Sequence, residues 1–238
     1  MDIQKIKQLM QYGIESVLDL IYPNLCMGCE RRCNNQKDLF CLSCQSKISP
    51  TNHYAHLINP FTEHFNGRIN LYTGASLYYY VRGGLVHDIL EQIKYRNRED
   101  LAYKFGQYYG MILSESPYYQ NIDVIIPVPL HKKRQAQRGY NQCSLIAKGI
   151  AEALHCSISD QIIMRKINTL TQTDKSRIDR INNMEGVFHI LNLTDIHQKN
   201  ILIVDDVLTT GATLESCALE LLKAKPATIR MATIAMGL

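Results

Sequence analysis

The apolar residues of this chain follow two periods, and the alternation between them predicts its architecture. Ile3, Ile6, Met10, Ile14, Val17, Leu18 and Ile21 recur at helical spacing and stop at Pro23. Leu71–Val81 reads as a strand, and Leu85–Ile93 and Asp100–Ser114 read as helices. Asp123–Pro127 carries a short run of buried-strand type, Asn141–Leu154 a helical pattern, and Ile201–Val204 four consecutive apolar residues. Thr213–Ala224 then predicts a helix and Ala227–Ala235 a closing strand. Strands alternating with helices imply an α/β fold, a doubly wound and mainly parallel sheet with crossover helices. Residues 51–70 are polar and contain Pro60 and Gly67, so they are expected to link a module at 1–50 to a domain at 71–238. No internal repeat or low-complexity segment interrupts this plan.

Composition agrees with it. The 238 residues exceed the usual domain length of roughly 150, which suits one sizeable domain with an appendage. Hydrophobic residues make up 46% and charged residues 20%, enough for a core and too little charge for global disorder. No apolar run approaches the roughly 18 residues of a membrane span. The first residues interleave Lys5 and Lys7 with Ile3 and Ile6, so no secretory signal is expected and the cytoplasm is the expected compartment. The net charge of +4 excludes nothing by itself, but basic residues are grouped. His131–Tyr140 contains Lys132, Lys133, Arg134 and Arg138 and no acid, and Arg165–Arg180 is a second basic stretch. Such segments suit phosphate-bearing ligands, or equally the solvated faces of two helices.

The cysteines set off the first fifty residues. Cys26, Cys29, Cys41 and Cys44 form two Cys-x2-Cys knuckles, each of which aims two thiolates at one point. Two knuckles make a tetrahedral sulfur site suited to a structural zinc ion, whose binding would supply most of the folding energy of so short a module. Cys33 is a fifth cysteine in the same stretch and could replace Cys29 or sit beside the site. Cys143, Cys156 and Cys217 are isolated in helix-like segments and read as core.

The segment most informative about chemistry is Ile201–Thr213. A buried strand delivers Asp205 and Asp206 to its carboxyl end, where ligands bind in open α/β sheets. Thr209, Thr210, Gly211, Ala212 and Thr213 then turn into a helix, offering backbone N–H groups and hydroxyls to a phosphate. Two carboxylates suit vicinal hydroxyls, or a metal held by them; a phosphate beside a diol describes a ribose 5-phosphate. No Gly-Lys-Ser/Thr follows and no Gly-x-Gly-x-x-Gly is present, so neither common nucleotide loop is meant.

This segment resembles the phosphoribosyl diphosphate (PRPP) loop of type I phosphoribosyltransferases. Pro129, Leu130, His131, Arg134 and Arg138 resemble the pyrophosphate-side loop of those enzymes, and Thr169, Gln172, Arg180 and Asn183 the mobile loop. With the cysteine knuckles and the stretch Pro127–Gln142, the chain resembles the ComF family (ComFC/GntX type) over essentially its whole length. The resemblance implies a zinc finger fused to a type I phosphoribosyltransferase-like domain that binds PRPP with Mg²⁺. It implies handling of incoming single-stranded DNA in natural transformation, beside a helicase-like competence protein. Two other readings stay open: an active transferase, in which Asp205 and Asp206 stabilise charge building on the ribose ring, and a non-enzymatic PRPP or nucleotide sensor. Tyr79, Lys94, Arg96, Lys132 and Lys133 are candidates for stacking bases and contacting a nucleic-acid backbone, with a strand of alternating tyrosines as the other reading.

Overall fold

The chain divides into two units, Met1–Lys47 and Ile48–Leu238, and the computed structural model describes residues 23–33, 35, 38–166 and 186–237. The helical stripe expected over residues 3–21 and the mobile-loop residues Thr169, Gln172, Arg180 and Asn183 lie outside the described residues. In the first unit Leu25 and Arg32 form an antiparallel bridge around a turn in which Glu30 takes a positive φ of 58°. The second knuckle enters the short helix α1 (Leu42–Gln45).

In the second unit the elements follow as α2 (Pro60–Glu63), β1 (Thr73–Tyr80), α3 (Leu85–Tyr95), α4 (Glu99–Ser114), β2 (Val124–Pro127), α5 (Lys132–Arg138) and α6 (Gln142–Leu154). They continue as β3 (Ser157–Ile158), β4 (Ile163–Arg165), β5 (Phe188–Ile190), β6 (Asn200–Leu208), α7 (Ala212–Leu222) and β7 (Thr228–Gly237). Five strands pair in the order β1-β7-β6-β2-β3, every pair parallel. β4 and β5 form a separate antiparallel pair. Strands β3, β4 and β5 have two or three residues each, too few for a period to show in the sequence.

The sheet is covered on both sides, as continuous apolar strands require. Val124, Ile126, Ile201 and Ile203 point to one face and pack with Leu214, Cys217, Ala218 and Leu221 of α7. Ile125, Leu202 and Val204, also buried, alternate to the face on which α6 packs. Helices α4 and α6 cross at glycines. A Cβ at Gly149 would stand 2.4 Å from the Gln107 nitrogen and 2.5 Å from the Tyr103 oxygen, and one at Gly106 2.1 Å from the Ile146 oxygen. Backbone-to-backbone contact of this kind sets the position of α6 tightly, and with it the two side chains at its start.

The expected linker is a correction. Residues 51–70 belong to the second unit and are packed. Asn59 caps α2 by accepting from the N–H groups of Phe61 (2.9 Å) and Thr62 (3.2 Å), while its amide donates to the Gly74 carbonyl of β1 at 3.0 Å. Phe61 and Phe65, four residues apart, are fully buried. Their polar neighbours lowered the average hydropathy of the segment and hid a one-turn apolar face. Among the described residues no helix is long and apolar enough to cross a membrane.

Candidate functional site

The topology makes one crevice. From β2 the chain crosses through α6 to β3 on one side, and from β6 it crosses through α7 to β7 on the other. The carboxyl ends of β2 and β6 therefore diverge at a topological switch point, the usual ligand position in an open parallel sheet. Asp205 and Asp206 stand there, with 9% and 8% of their surface exposed, so whatever satisfies them is protein or ligand and not bulk water.

Each carboxylate has its own partners. The Lys94 ammonium lies 3.0 Å from Asp206 Oδ2, and the Gln142 amide donates to the same oxygen at 3.0 Å. Arg138 donates in turn to Gln142 Oε1, which turns the amide's NH2 group toward Asp206. The same guanidinium lies over the Tyr95 ring at 5.4 Å. Asp205 Oδ1 accepts from the Asp206 backbone N–H at 2.9 Å and from the Cys143 thiol at 3.3 Å.

The two acids are consequently driven apart. Burial and the neighbouring Asp206 charge push Asp205 up to about 7. Burial also opposes ionisation of Asp206, but the Lys94 ammonium outweighs it and holds that carboxyl below its ordinary value. Burial works against the charge of Lys94, yet Asp206 raises it to about 12. The thiol of Cys143 is pushed well up by burial and then by Asp205, so it is a donor and not a nucleophile.

The expected phosphate turn follows directly. Thr209 is exposed, Thr210 and Thr213 are half-buried, and Gly211 and Ala212 are buried. Gly211 has φ +76°, which favours glycine, and a Cβ there would come within 2.8 Å of His64 Nε2 and 3.0 Å of Phe65 Cε1. The segment after α2 thus closes on the start of α7. Arg68 fixes it by an ion pair with Glu215 in the first turn of α7 at 2.6 Å. The N–H groups of that first turn have no partner within the helix, which is what makes such a turn receptive to an anion.

Across the crevice, Val128 continues the pairing of β2 by donating to Val204 at 2.8 Å. Pro129 and Leu130 are half-buried beyond it. His131 caps α5 by accepting from the Lys133 N–H through Nδ1 at 3.2 Å, a structural role in addition to the one expected of it. Asn141 bridges loop and helix, accepting from Cys143 N–H and donating to the Val128 carbonyl, each at 3.1 Å. Arg134 lies close enough to Arg165 of β4 to depress it, after burial, while Asp205 acts in the opposite sense. Arg165 therefore joins the electrostatic surroundings of the acid pair. From sequence Arg165 reads only as part of a basic stretch, because its three-residue strand is too short to show which way it leads.

The five candidates for nucleic-acid contact differ in exposure and partners. Lys132, Lys133 and Arg96 are exposed, but Lys94 is turned to Asp206. Tyr79 sits half-buried in β1 with its ring edge-on to His53 at 5.9 Å. The most exposed tyrosine ring among the described residues is that of Tyr95, 70% accessible and already carrying Arg138 on one face.

In the first unit the ligand atoms of Cys26, Cys29, Cys41 and Cys44 all lie within 4.8 Å of one another. Cys29 and Cys41 sulfurs are 3.6 Å apart, close to the edge of about 3.8 Å for a tetrahedron with zinc–sulfur bonds of about 2.3 Å. Burial opposes ionisation of Cys26, but backbone N–H groups of Cys41, Gly28 and Cys29 lower it to about 6, a thiolate ready to ligate. Cys33 stands outside the four and is pushed up to about 11 by burial and by Cys26 and Cys41. The donor set fits a metal ion of zinc's softness and size.

Residues 140–237 match the phosphoribosyl transferase domain family. Fold and match together describe a parallel α/β domain, residues 140–237 of which are similar to phosphoribosyl transferase domains, with a four-cysteine cluster earlier in the chain. Curated proteins to which the chain is similar include competence and DNA utilization proteins. The chain is 37% identical to competence protein F of Haemophilus influenzae over 39% of its own length and 41% of the relative's. It is 30% identical to the DNA utilization protein YhgH of Escherichia coli O157:H7 over 60% and 63%, and 28% identical to competence protein ComFC of Bacillus subtilis over 82% of each. The first two alignments thus span less than two thirds of those relatives. A hypoxanthine phosphoribosyltransferase structure from Staphylococcus aureus aligns with 57% of this chain and 62% of its own at 18% identity and a TM-score of 0.36.

Proposed function

We propose that this protein is a competence-type protein, handling incoming single-stranded DNA in the cytoplasm, and that it keeps a working phosphoribosyl diphosphate site. The observation that carries the second half is the buried acid pair followed within one turn by the glycine-kinked threonine loop, at the switch point of a parallel sheet. In this reading Asp205 and Asp206 accept the hydroxyls of the ribose, and Thr209–Thr213 with the start of α7 take the 5-phosphate. Arg134 and the loop Pro129–His131 face the diphosphate; Thr169, Gln172, Arg180 and Asn183 are the further residues that the resemblance assigns to this ligand. Mg²⁺, when bound with the diphosphate, neutralises its charge. Zinc on the four cysteines orders the first unit. The names of the relatives, competence proteins and DNA utilization proteins, support the DNA half, with exposed Arg96, Lys132 and Lys133 as backbone contacts and a helicase-like protein as partner.

Phosphorus NMR of the zinc-loaded protein with PRPP, with and without Mg²⁺, tests the site. Broadened but unconsumed PRPP signals that sharpen in the Asp205→Asn/Asp206→Asn variant are expected. Pyrophosphate released faster than by that variant would make the protein a transferase, and unaltered signals would overturn the site. Fluorescence anisotropy with a labelled single strand tests the other half. Affinity should fall steeply with salt, with a slope reduced by about 1.4 when Lys132 and Lys133 are both replaced by alanine. No binding at low salt would overturn the DNA-handling role.

A further inference from the structure

The acid pair does not fit a bare divalent cation. Two adjacent buried carboxylates ordinarily invite one, but here the position a metal would take against Asp206 is held by the Lys94 ammonium, 3.0 Å from Oδ2. The remaining partners are also donors: the Gln142 amide on Asp206, and the Cys143 thiol and a backbone N–H on Asp205. A cation arriving at this pair would face an ammonium that cannot retreat easily. Lys94 lies in the last turn of α3, its side chain is 20% exposed, and Tyr95, the next residue, is stacked with Arg138. A neutral hydroxyl meets no such repulsion, because it can donate to a carboxylate oxygen while the ammonium stays in place.

We propose that Lys94 is the residue that sets the ligand class of this site, excluding free divalent metal from Asp206 so that the pair receives sugar hydroxyls and metal enters only with the diphosphate of the ligand. This rests on the phosphoribosyl reading of the crevice, but the exclusion of metal can be tested without it. Lys94 acts as a specificity-determining residue through Asp206, so turnover is the wrong readout. The right one is which ion or sugar the pair holds.

The experiment is a titration of the zinc-loaded full chain with Mn²⁺, free ion being followed by its EPR signal. Wild type and Lys94→Arg should leave the signal unchanged. Lys94→Met should capture one Mn²⁺ per chain, on the order of tenfold or more tighter than wild type, and Lys94→Met/Asp206→Asn should release it again. Capture by wild type that disappears in Asp206→Asn, or no gain in a folded Lys94→Met, would overturn the proposal. Lys94→Met leaves Asp206 buried without its countercharge and can fail to fold. Paramagnetic broadening of the amides of Val204–Leu208 in wild type then decides: none is expected, and selective broadening there would refute the exclusion. Ribose 5-phosphate and 2-deoxyribose 5-phosphate, titrated into wild type by NMR, separate this inference from the reading beneath it. Binding of neither sugar removes the phosphoribosyl reading, and the manganese results still decide the role of Lys94.

Discussion

At the scale of the residue, Asp205 shows how burial turns a sequence motif into a titrating group. Its carboxyl is pushed up to about 7 by burial and by Asp206, whereas in the unfolded chain it ionises at an ordinary carboxylate pKa of about 3.9. Between those values the folded protein holds the extra proton, so this group's contribution to stability falls as pH rises from about 4 to about 7. Asparagine at 205 removes that dependence. The melting temperature of Asp205→Asn relative to wild type should therefore rise between pH 5 and pH 8, the difference corresponding to on the order of 2–4 kcal/mol. A difference that is flat with pH, or of opposite sign, would show that Asp205 is ionised throughout. Asp206→Asn should show a smaller rise of the same sign, because burial still raises Asp205 but the Asp206 charge no longer adds to it.

At the scale of the element, the site depends on how closely α6 approaches α4. Gln142 and Cys143 reach Asp206 and Asp205 only because they begin a helix whose glycine lets it lie backbone to backbone on its neighbour. A methyl at Gly149 would meet the Gln107 nitrogen and Tyr103 oxygen at 2.4 and 2.5 Å, and backbone has no rotamer by which to yield. Gly149→Ala should destabilise the protein by roughly 2–3 kcal/mol in urea melts. It should also weaken the proposed PRPP binding, although residue 149 is about two helical turns from Gln142 and Cys143. Unchanged stability would mean that the two helices separate freely. Cys143, which reads from sequence as core, is buried as expected; its bond to Asp205 is a tertiary fact that no helical pattern announces.

At the scale of the whole molecule, the two units have different sources of stability. The second has a two-sided sheet with a continuous apolar core, whereas among the described residues the first buries Cys26, Met27, Cys33, Phe40 and Cys44. A metal bound to the four cysteines would supply folding energy that so small an apolar cluster lacks. Removal of metal by a chelator should abolish hydrogen-exchange protection in residues 23–47 while β6 and β7 keep theirs. Loss of protection in both units together would show that the metal stabilises the whole chain.

The sequence by itself determined the local matters. Period and turn chemistry located the long strands and helices, because each of them presents its apolar positions within one stretch of chain. Spacing alone brought four cysteines into range of one metal, and the run Ile201–Thr213 placed two acids and a threonine turn on a strand-to-helix junction. The sequence could not show the expected linker to be packed structure, since the burial of Phe61 and Phe65 depends on Gly74 and Gly211 having no side chain where those rings lie. Nor could it assign Lys94, which in a basic tyrosine-rich stretch resembles a backbone-binding lysine. Tertiary structure alone decided that it faces Asp206, more than a hundred residues away along the chain. Local sequence fixes which groups are present and how they are spaced. Which charge neutralises which is decided by packing, because an ion pair's energy depends on distance and burial and neither is written in the order of residues.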